Sequence, residues 1–213
     1  MPIDLFLHQP ALGVAWIFAI LFALAVHEAA HAGVSALLGD DTAVRAGRLT
    51  LNPLAHVDLL GLFMLLIVGF GWGQPVPFEP SRLRFRRWGS AMVAVAGPLA
   101  NLVLLGIAVG MMVVLTRMHL VPGNNLLLLF LAYLVQINLV LALFNVLPIP
   151  PLDGSKLLFG LLDHPRYERF RTFLELQGPF LLLGLLVVDG LLHGAILGRF
   201  FHAALQWAIR LME

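Results

Sequence analysis

The chain has 213 residues, of which 60% are hydrophobic and 12% charged, and its net charge is +1. A soluble domain carries about 45–50% apolar and about 25% charged residues, so this composition argues against a soluble enzyme. The near-neutral charge argues against a polyanion-binding surface, and we expect no nucleic-acid partner. The chain has no cysteine, so any metal ligand must be histidine, aspartate or glutamate.

Long apolar runs indicate an all-α polytopic membrane protein, because a helix needs about 20 apolar residues to span a bilayer. In chain order these runs cover residues 11–38, 89–116, 126–147 and 179–188, the last being followed by polar residues and glycines. A final run at 200–212 either spans the membrane or lies at its surface as an amphipathic helix.

We expect a single membrane-embedded domain over residues 1–213, with a core at about 11–155 and C-terminal membrane helices at about 176–212. No basic segment precedes the first run, so we do not expect a cleaved signal peptide. The segment 59–72 is short for a span and rich in glycine. By itself it is compatible with crossing the membrane or with entering and returning.

The first apolar run contains the sequence His27-Glu28-Ala29-Ala30-His31. Residues four apart share one face of a helix, so both imidazoles can reach one zinc ion, and Glu28 beside them can act as a general base. A single buried histidine most often only bonds to a neighbouring helix. Three ionisable groups on one turn of an apolar helix indicate function, because a charged residue at mid-membrane costs about 2.5–3.5 kcal/mol.

A catalytic zinc site usually has three protein ligands and an open position, so one ligand remains to be found. Asp153 stands out because the prolines before it must end the third apolar helix in extended backbone. Non-helical backbone at membrane depth is tolerated where it lines a protein interior or a wet cavity. A plain helix terminator with a polar loop explains Asp153 equally well. The other candidates are His8, His56, Asp58, His164, Asp189, His193 and His202.

The HExxH helix together with the segment Asn145-Val146-Leu147-Pro148-Ile149-Pro150-Pro151-Leu152-Asp153-Gly154 resembles the site-2 protease family of intramembrane zinc metalloproteases. The similarity extends over about residues 20–155 and includes a Gly-Pro-x-x-Asn motif at 97–101. It implies one zinc ion per chain, held by His27, His31 and Asp153, with Glu28 as general base. It also suggests that Asn145 binds substrate. Larger members carry PDZ or CBS domains. Since this sequence shows neither, we expect it to be a compact form.

The implied site also predicts the topology. One zinc ion reaches both the first helix and Asp153 only if the first and third long helices exit on the same side, so segment 59–72 must be re-entrant or interfacial. Re-entry places ten of the 13 basic residues on the active-site side, which predicts that this side faces the cytoplasm and the N-terminus lies outside. The ten are Arg45, Arg48, Arg82, Arg84, Arg86, Arg87, Lys156, Arg166, Arg169 and Arg171.

The resemblance implies a peptidase of a bacterial-type cytoplasmic membrane that cuts membrane-protein or peptide substrates within or near transmembrane segments. The alternative is a membrane metal-binding protein without protease activity, or a zinc transporter. A transporter needs polar residues along a path through the bilayer, whereas here they concentrate at one depth. His56 and Asp58 match the family pattern, but the sequence suggests no chemical role for them.

Overall fold

The protein is built from α-helices, and the computed structural model describes residues 2–123, 125–194 and 197–210. No β-strand occurs within these ranges. The helices are α1 (Pro2–His8), α2 (Pro10–Leu37), α3 (Thr42–Arg45), α4 (Leu59–Val68), α5 (Gly89–Arg117), α6 (Leu126–Asn145), α7 (Gly154–Leu161), α8 (Glu168–Leu191) and α9 (Leu197–Arg210).

Four segments of the described chain are helical, long and apolar enough to cross a membrane. They are Pro10–Leu37, Gly89–Arg117, Leu126–Asn145 and Pro165–Leu191. The prediction of an all-α polytopic membrane protein is therefore confirmed. The short helix α1 was not predicted, because its seven residues are too few to produce an apolar run.

Helices α2, α5 and α6 form the core that carries the site. Small side chains make their close approach possible: Ala19 on α2 and Ala108 on α5 are buried against Leu131, Leu134 and Val135 of α6. In lipid, helices associate mainly through close packing, and alanine lets two backbones come near each other. The core thus fixes the mutual positions of the three helices.

The segment between α3 and α5 turns back on itself. Asp58 caps the start of α4 by accepting a hydrogen bond from the Gly61 N–H at 2.8 Å, and Gly69 ends the helix in the left-handed conformation at φ 83°. The two ends then meet: Val57 and Gly73 form an antiparallel bridge, and the Gln74 N–H donates to the His56 carbonyl at 2.7 Å. We call residues 57–73 the hairpin. The chain returns to its starting point, as the re-entrant prediction requires.

Glycines let the two arms of the hairpin approach very closely. A Cβ atom at Gly61 would lie 2.0 Å from the Trp72 carbonyl oxygen, and one at Gly71 would lie 2.2 Å from the Gly61 carbonyl oxygen. Any side chain at either position would force the arms apart. The glycine content of this segment is therefore explained by backbone contact.

Helix α6 ends at Asn145, shortly before the prolines, and the chain then folds back under the helix end. A Cβ atom at Gly154 would lie 2.1 Å from the Val146 carbonyl oxygen, so only glycine fits here. This close approach holds Asp153, the residue before Gly154, beneath α6.

The C-terminal part differs from the prediction in its helix limits. Helix α8 begins at Glu168, well before the apolar run that was predicted to start at Pro179. The prediction missed its first turns because they are polar and hydropathy alone does not reveal them. The helix also continues through Asp189 to Leu191, and it meets the core where Gly178 lies against Pro150.

Helix α9 is amphipathic, and its 14 residues are too few for a bilayer core about 30 Å thick. Its first N–H, that of Leu197, donates to the Asp189 carboxylate at 2.9 Å, and the Phe201 ring lies 6.4 Å from the ring of Phe144 on α6. These features favour the surface-lying alternative for the final apolar run, whose last two residues lie outside the described ranges.

Candidate metal centre

Two histidines of α2 face the inside of the helix core. His27 and His31 are one turn apart, with 4% and 7% of their surfaces exposed. Their rings are perpendicular, with centroids 4.6 Å apart. The folded-back chain after α6 brings Asp153 to the same place. The structure therefore brings Asp153 to two histidines that precede it by more than 100 positions in the sequence, and the three form a group able to hold a metal ion.

The three potential ligand atoms form a nearly equilateral triangle. The distance between the two Nε2 atoms of His27 and His31 is 3.1 Å, and the Asp153 Oδ2 atom lies 3.2 Å from each of them. In a tetrahedral zinc site with bonds of about 2.0–2.1 Å, neighbouring ligand atoms are about 3.3–3.4 Å apart. The spacing of this triangle fits zinc closely.

The outer nitrogen of each imidazole faces an oxygen acceptor. The His31 Nδ1 lies 2.7 Å from the Val93 carbonyl oxygen, and the His27 Nδ1 lies 2.9 Å from the Asn101 Oδ1, both on α5. Each Nδ1 is thus placed to donate its N–H to an oxygen, and in that neutral tautomer the Nε2 lone pairs point at each other and at Asp153. The Asp153 Oδ2 is itself buried without a hydrogen-bond partner among the described residues.

Such a meeting of lone pairs is unfavourable unless a cation lies among them, because each atom only accepts. Two imidazole nitrogens and one carboxylate oxygen are the donor set of a zinc site with an open fourth position. The residues present therefore fit a zinc ion, by both spacing and chemistry.

Glycine at position 97 gives the imidazoles their space. A Cβ atom there would lie 2.5 Å from the His31 Nε2 and 2.6 Å from the His27 Cε1. Val93, Gly97 and Asn101 are four residues apart on α5 and form one stripe facing the two histidines. The sequence contains this Gly-Pro-x-x-Asn motif, but its contacts with the histidines depend on how α2 and α5 are aligned, which no local pattern reveals.

Glu28 is half-buried and follows His27 directly on α2. Among the residues that the structure describes, no hydrogen bond or ion pair engages its carboxylate. Asn145, also half-buried, donates its side-chain amide to the Leu141 carbonyl of its own helix at 3.0 Å. No described hydrogen bond joins Asn145 to the three potential ligands.

The other candidate ligands lie elsewhere. His56 is fully buried, with its Nε2 2.9 Å from the Thr50 carbonyl oxygen, and it shapes the loop before the hairpin. Asp58 caps α4, as described above. Within the described part of the chain, His27, His31 and Asp153 are the one group of three such residues with converging ligand atoms. His56 and Asp58 thus have structural contacts that the sequence did not reveal.

Comparison with known proteins points to one family. The sequence model of peptidase family M50 matches residues 122–185, which include α6 and Asp153. The chain is 38% identical over 192 residues to "Putative zinc metalloprotease YwhC" of Bacillus subtilis, covering 86% of this chain and 85% of that protein. It is 33% identical over 194 residues to "Putative zinc metalloprotease Rip2" of Mycolicibacterium smegmatis, covering 88% and 70%. No solved structure matches the chain significantly.

Proposed function

The chain belongs to peptidase family M50, the site-2 proteases, and from this premise we propose that it hydrolyses peptide bonds within or near transmembrane segments of membrane proteins. It is a metallopeptidase and an integral membrane protein. The observation that carries the proposal is the convergence of two imidazole lone pairs and a carboxylate on one point of an apolar helix core. Because ionisable side chains are costly to place in an apolar helix core, a metal site explains this cluster better than packing does.

We assign one zinc ion per chain to His27, His31 and Asp153. Zinc bound there supplies a Lewis acid that polarises a peptide carbonyl and makes water acidic enough to ionise near neutral pH. Glu28 accepts the proton of the attacking water and returns it to the leaving amine nitrogen. The lack of a described partner leaves its carboxylate available for this transfer. Two neutral imidazoles, one aspartate and a divalent cation together carry a charge of only +1, which limits the penalty of burial.

The substrate must present an extended backbone, because the carbonyls of an intact helix are already hydrogen-bonded. Asn145 is the last residue of α6, just before the segment that brings Asp153 to the histidines, and its amide oxygen has no hydrogen-bond partner among the described residues. We propose that this oxygen accepts a backbone N–H of the unwound substrate. The substrate class is accordingly a membrane protein or peptide whose apolar segment unwinds easily.

We place the single domain in a cytoplasmic membrane of bacterial type, with the metal end of α2 toward the cytoplasm. The support is the count of basic residues, ten of which flank the helix ends on that side once the hairpin returns. The surrounding bilayer and the membrane-bound substrate are then the partners of this chain.

The test compares the wild type with Glu28→Gln, a variant of nearly the same shape. Membranes of cells producing either form are analysed by mass spectrometry of protein termini, and each cut is repeated with purified enzyme in liposomes. We expect cuts within or beside transmembrane segments in the wild type and none with Glu28→Gln. Cuts confined to soluble domains would contradict the proposal.

The same liposomes address the transporter alternative. A zinc-sensitive dye enclosed in liposomes with wild-type protein should report no more zinc entry than in protein-free liposomes. Saturable zinc entry without any peptide cleavage would favour transport instead.

A further inference from the structure

The hydrogen bond between His27 and α5 suggests a role that the proposed mechanism leaves unassigned. We infer that Asn101 is a positioning residue, which fixes the tautomer of His27 so that its Nε2 lone pair is presented to zinc. This inference rests on the proposed zinc site. Asn101 is fully buried, and its Oδ1 lies 2.9 Å from the His27 Nδ1.

The Nδ1 atoms of the two histidines face different kinds of hydrogen-bond acceptor. His31 bonds to the Val93 carbonyl, an acceptor that every residue type provides, so its tautomer is independent of sequence. His27 depends on a side chain. Without an acceptor at Asn101, the His27 proton can move to Nε2, where it points into the ligand triangle and opposes a cation. An outer-sphere acceptor of this kind both orients a histidine ligand and raises its basicity.

Packing alone does not explain an asparagine at this position. The Asn101 Nδ2 is buried without a hydrogen-bond partner among the described residues, which is unfavourable in an apolar surrounding. A leucine of similar size would fill the space without an unsatisfied donor. The amide is therefore better explained by what its oxygen does for His27.

Three variants test this inference through zinc affinity, measured by competition with a chromogenic chelator in detergent. Asn101→Leu removes the acceptor, and we expect zinc to bind about 10–100-fold more weakly. Asn101→Asp keeps an acceptor and should bind within a few-fold of the wild type. Asn138→Leu is the matched control: Asn138 is also fully buried, but its one described hydrogen bond goes to the Leu134 carbonyl of its own helix. It should leave zinc affinity unchanged.

A second readout needs no variant of Asn101. Nitrogen-15 NMR of histidine-labelled protein distinguishes the tautomers, with the His27 signals assigned by their loss in His27→Gln. We expect a protonated Nδ1 and a zinc-bound Nε2 in the loaded wild type.

Zinc bound through Nδ1, or equal zinc affinity in Asn101→Leu and the wild type, would overturn the inference. If the wild type binds no zinc, the proposed site itself fails. Intact zinc binding and cleavage in Asn101→Leu would overturn this inference alone.

Discussion

Each potential zinc ligand is held by a different support. The side-chain amide of Asn101 holds His27, and the Val93 backbone carbonyl holds His31. The turn at Gly154 holds Asp153 against the end of α6. Two of these supports come from α5, which carries none of the ligands. Helix α5 therefore positions both imidazoles without supplying a potential ligand.

Removing Asp153 tests the proposed ligand set directly. We expect Asp153→Ala to lose most of its zinc, because two neutral imidazoles cannot hold the ion as tightly as the complete set. Glu28→Gln should keep about one zinc per chain, since Glu28 is not assigned as a ligand. Metal analysis by mass spectrometry of the purified proteins gives both numbers. Full zinc content in Asp153→Ala would mean that another residue supplies the third ligand.

Gly97→Ala tests the space that α5 leaves for the imidazoles. The added methyl group would lie 2.5 Å from the His31 Nε2, so the rings must move and zinc affinity should fall at least about tenfold. Gly106→Ala lies on the same helix with no atom within 4 Å of the new Cβ, and it should keep the wild-type affinity. Equal affinities for both variants, measured by chelator competition, would show that the space at Gly97 is unimportant.

At the scale of single residues, the sequence revealed the potential metal ligands and missed the residues that hold them in position. His27, His31 and Asp153 were predicted to converge, and the structure brings them together. The contact of Asn101 with His27 joins residues 74 positions apart. It depends on the rotation of α5 about its own axis, which packing of the whole core decides.

At the scale of elements, a buried carboxylate links the end of α2 to the segment before α5. The Asp40 side chain is fully buried and accepts hydrogen bonds from the Thr42 N–H at 3.1 Å and the Glu79 N–H at 2.6 Å. Burial by itself would raise the pKa of Asp40. The hydrogen bonds from Thr42, Glu79 and Ser35 outweigh it, so the pKa is lowered.

This lowered pKa predicts a pH-dependent difference between the wild type and Asp40→Asn. A carboxyl with a depressed pKa in the folded protein adds stability above its unfolded pKa of about 3.9, and this stability is lost as the pH falls through the folded pKa. We expect Asp40→Asn to unfold at a lower temperature than the wild type at pH 7. The difference between the two unfolding temperatures should shrink below about pH 4.

Thermal unfolding of zinc-free protein in detergent at several pH values measures this gap. The metal ligands are the same in both proteins, so their protonation cancels in the comparison. A gap that stays constant down to the lowest pH would show that the Asp40 charge does not contribute.

Helix limits were predictable where the chain is uniformly apolar, as in α2 and α5, which match the expected runs to within one residue at each end. The start of α8 was not predictable in this way, because its first turns mix charged and apolar residues and hydropathy does not mark them. The turn-back of the hairpin was inferred from the metal ligands rather than from its own sequence, since ten apolar residues suit several environments.

At the scale of the whole molecule, the hairpin decides which helix ends share a side of the membrane. Because the chain returns at Gly73, we expect the end of α2 and the start of α5 to lie on one side of the membrane. Helix α6 runs back toward that side and delivers Asp153 to the histidines. Four long apolar helices and one hairpin are thus arranged so that the three potential ligands meet at one point.

The absence of cysteine makes this topology easy to test with single-cysteine variants. Ala46→Cys and Ser81→Cys lie before and after the hairpin, and Gly123→Cys follows α5. All three positions are exposed. We expect a membrane-impermeant maleimide to label Gly123→Cys in intact cells, and to label the other two after the cytoplasmic side is opened. Labelling of Ala46→Cys and Ser81→Cys from opposite sides would mean that α4 crosses the membrane.

The interlocked arms of the hairpin also have a mechanical consequence. With the Gly61 and Gly71 backbones in contact, no space remains between the two arms, so neither arm can shift toward the other. Beyond the bridge between Val57 and Gly73, the hairpin also contacts the helix core through Phe70, whose ring lies 6.3 Å from the ring of Phe144 on α6. A displacement of the hairpin away from α6 would therefore separate these two rings and leave the contact between its own arms intact.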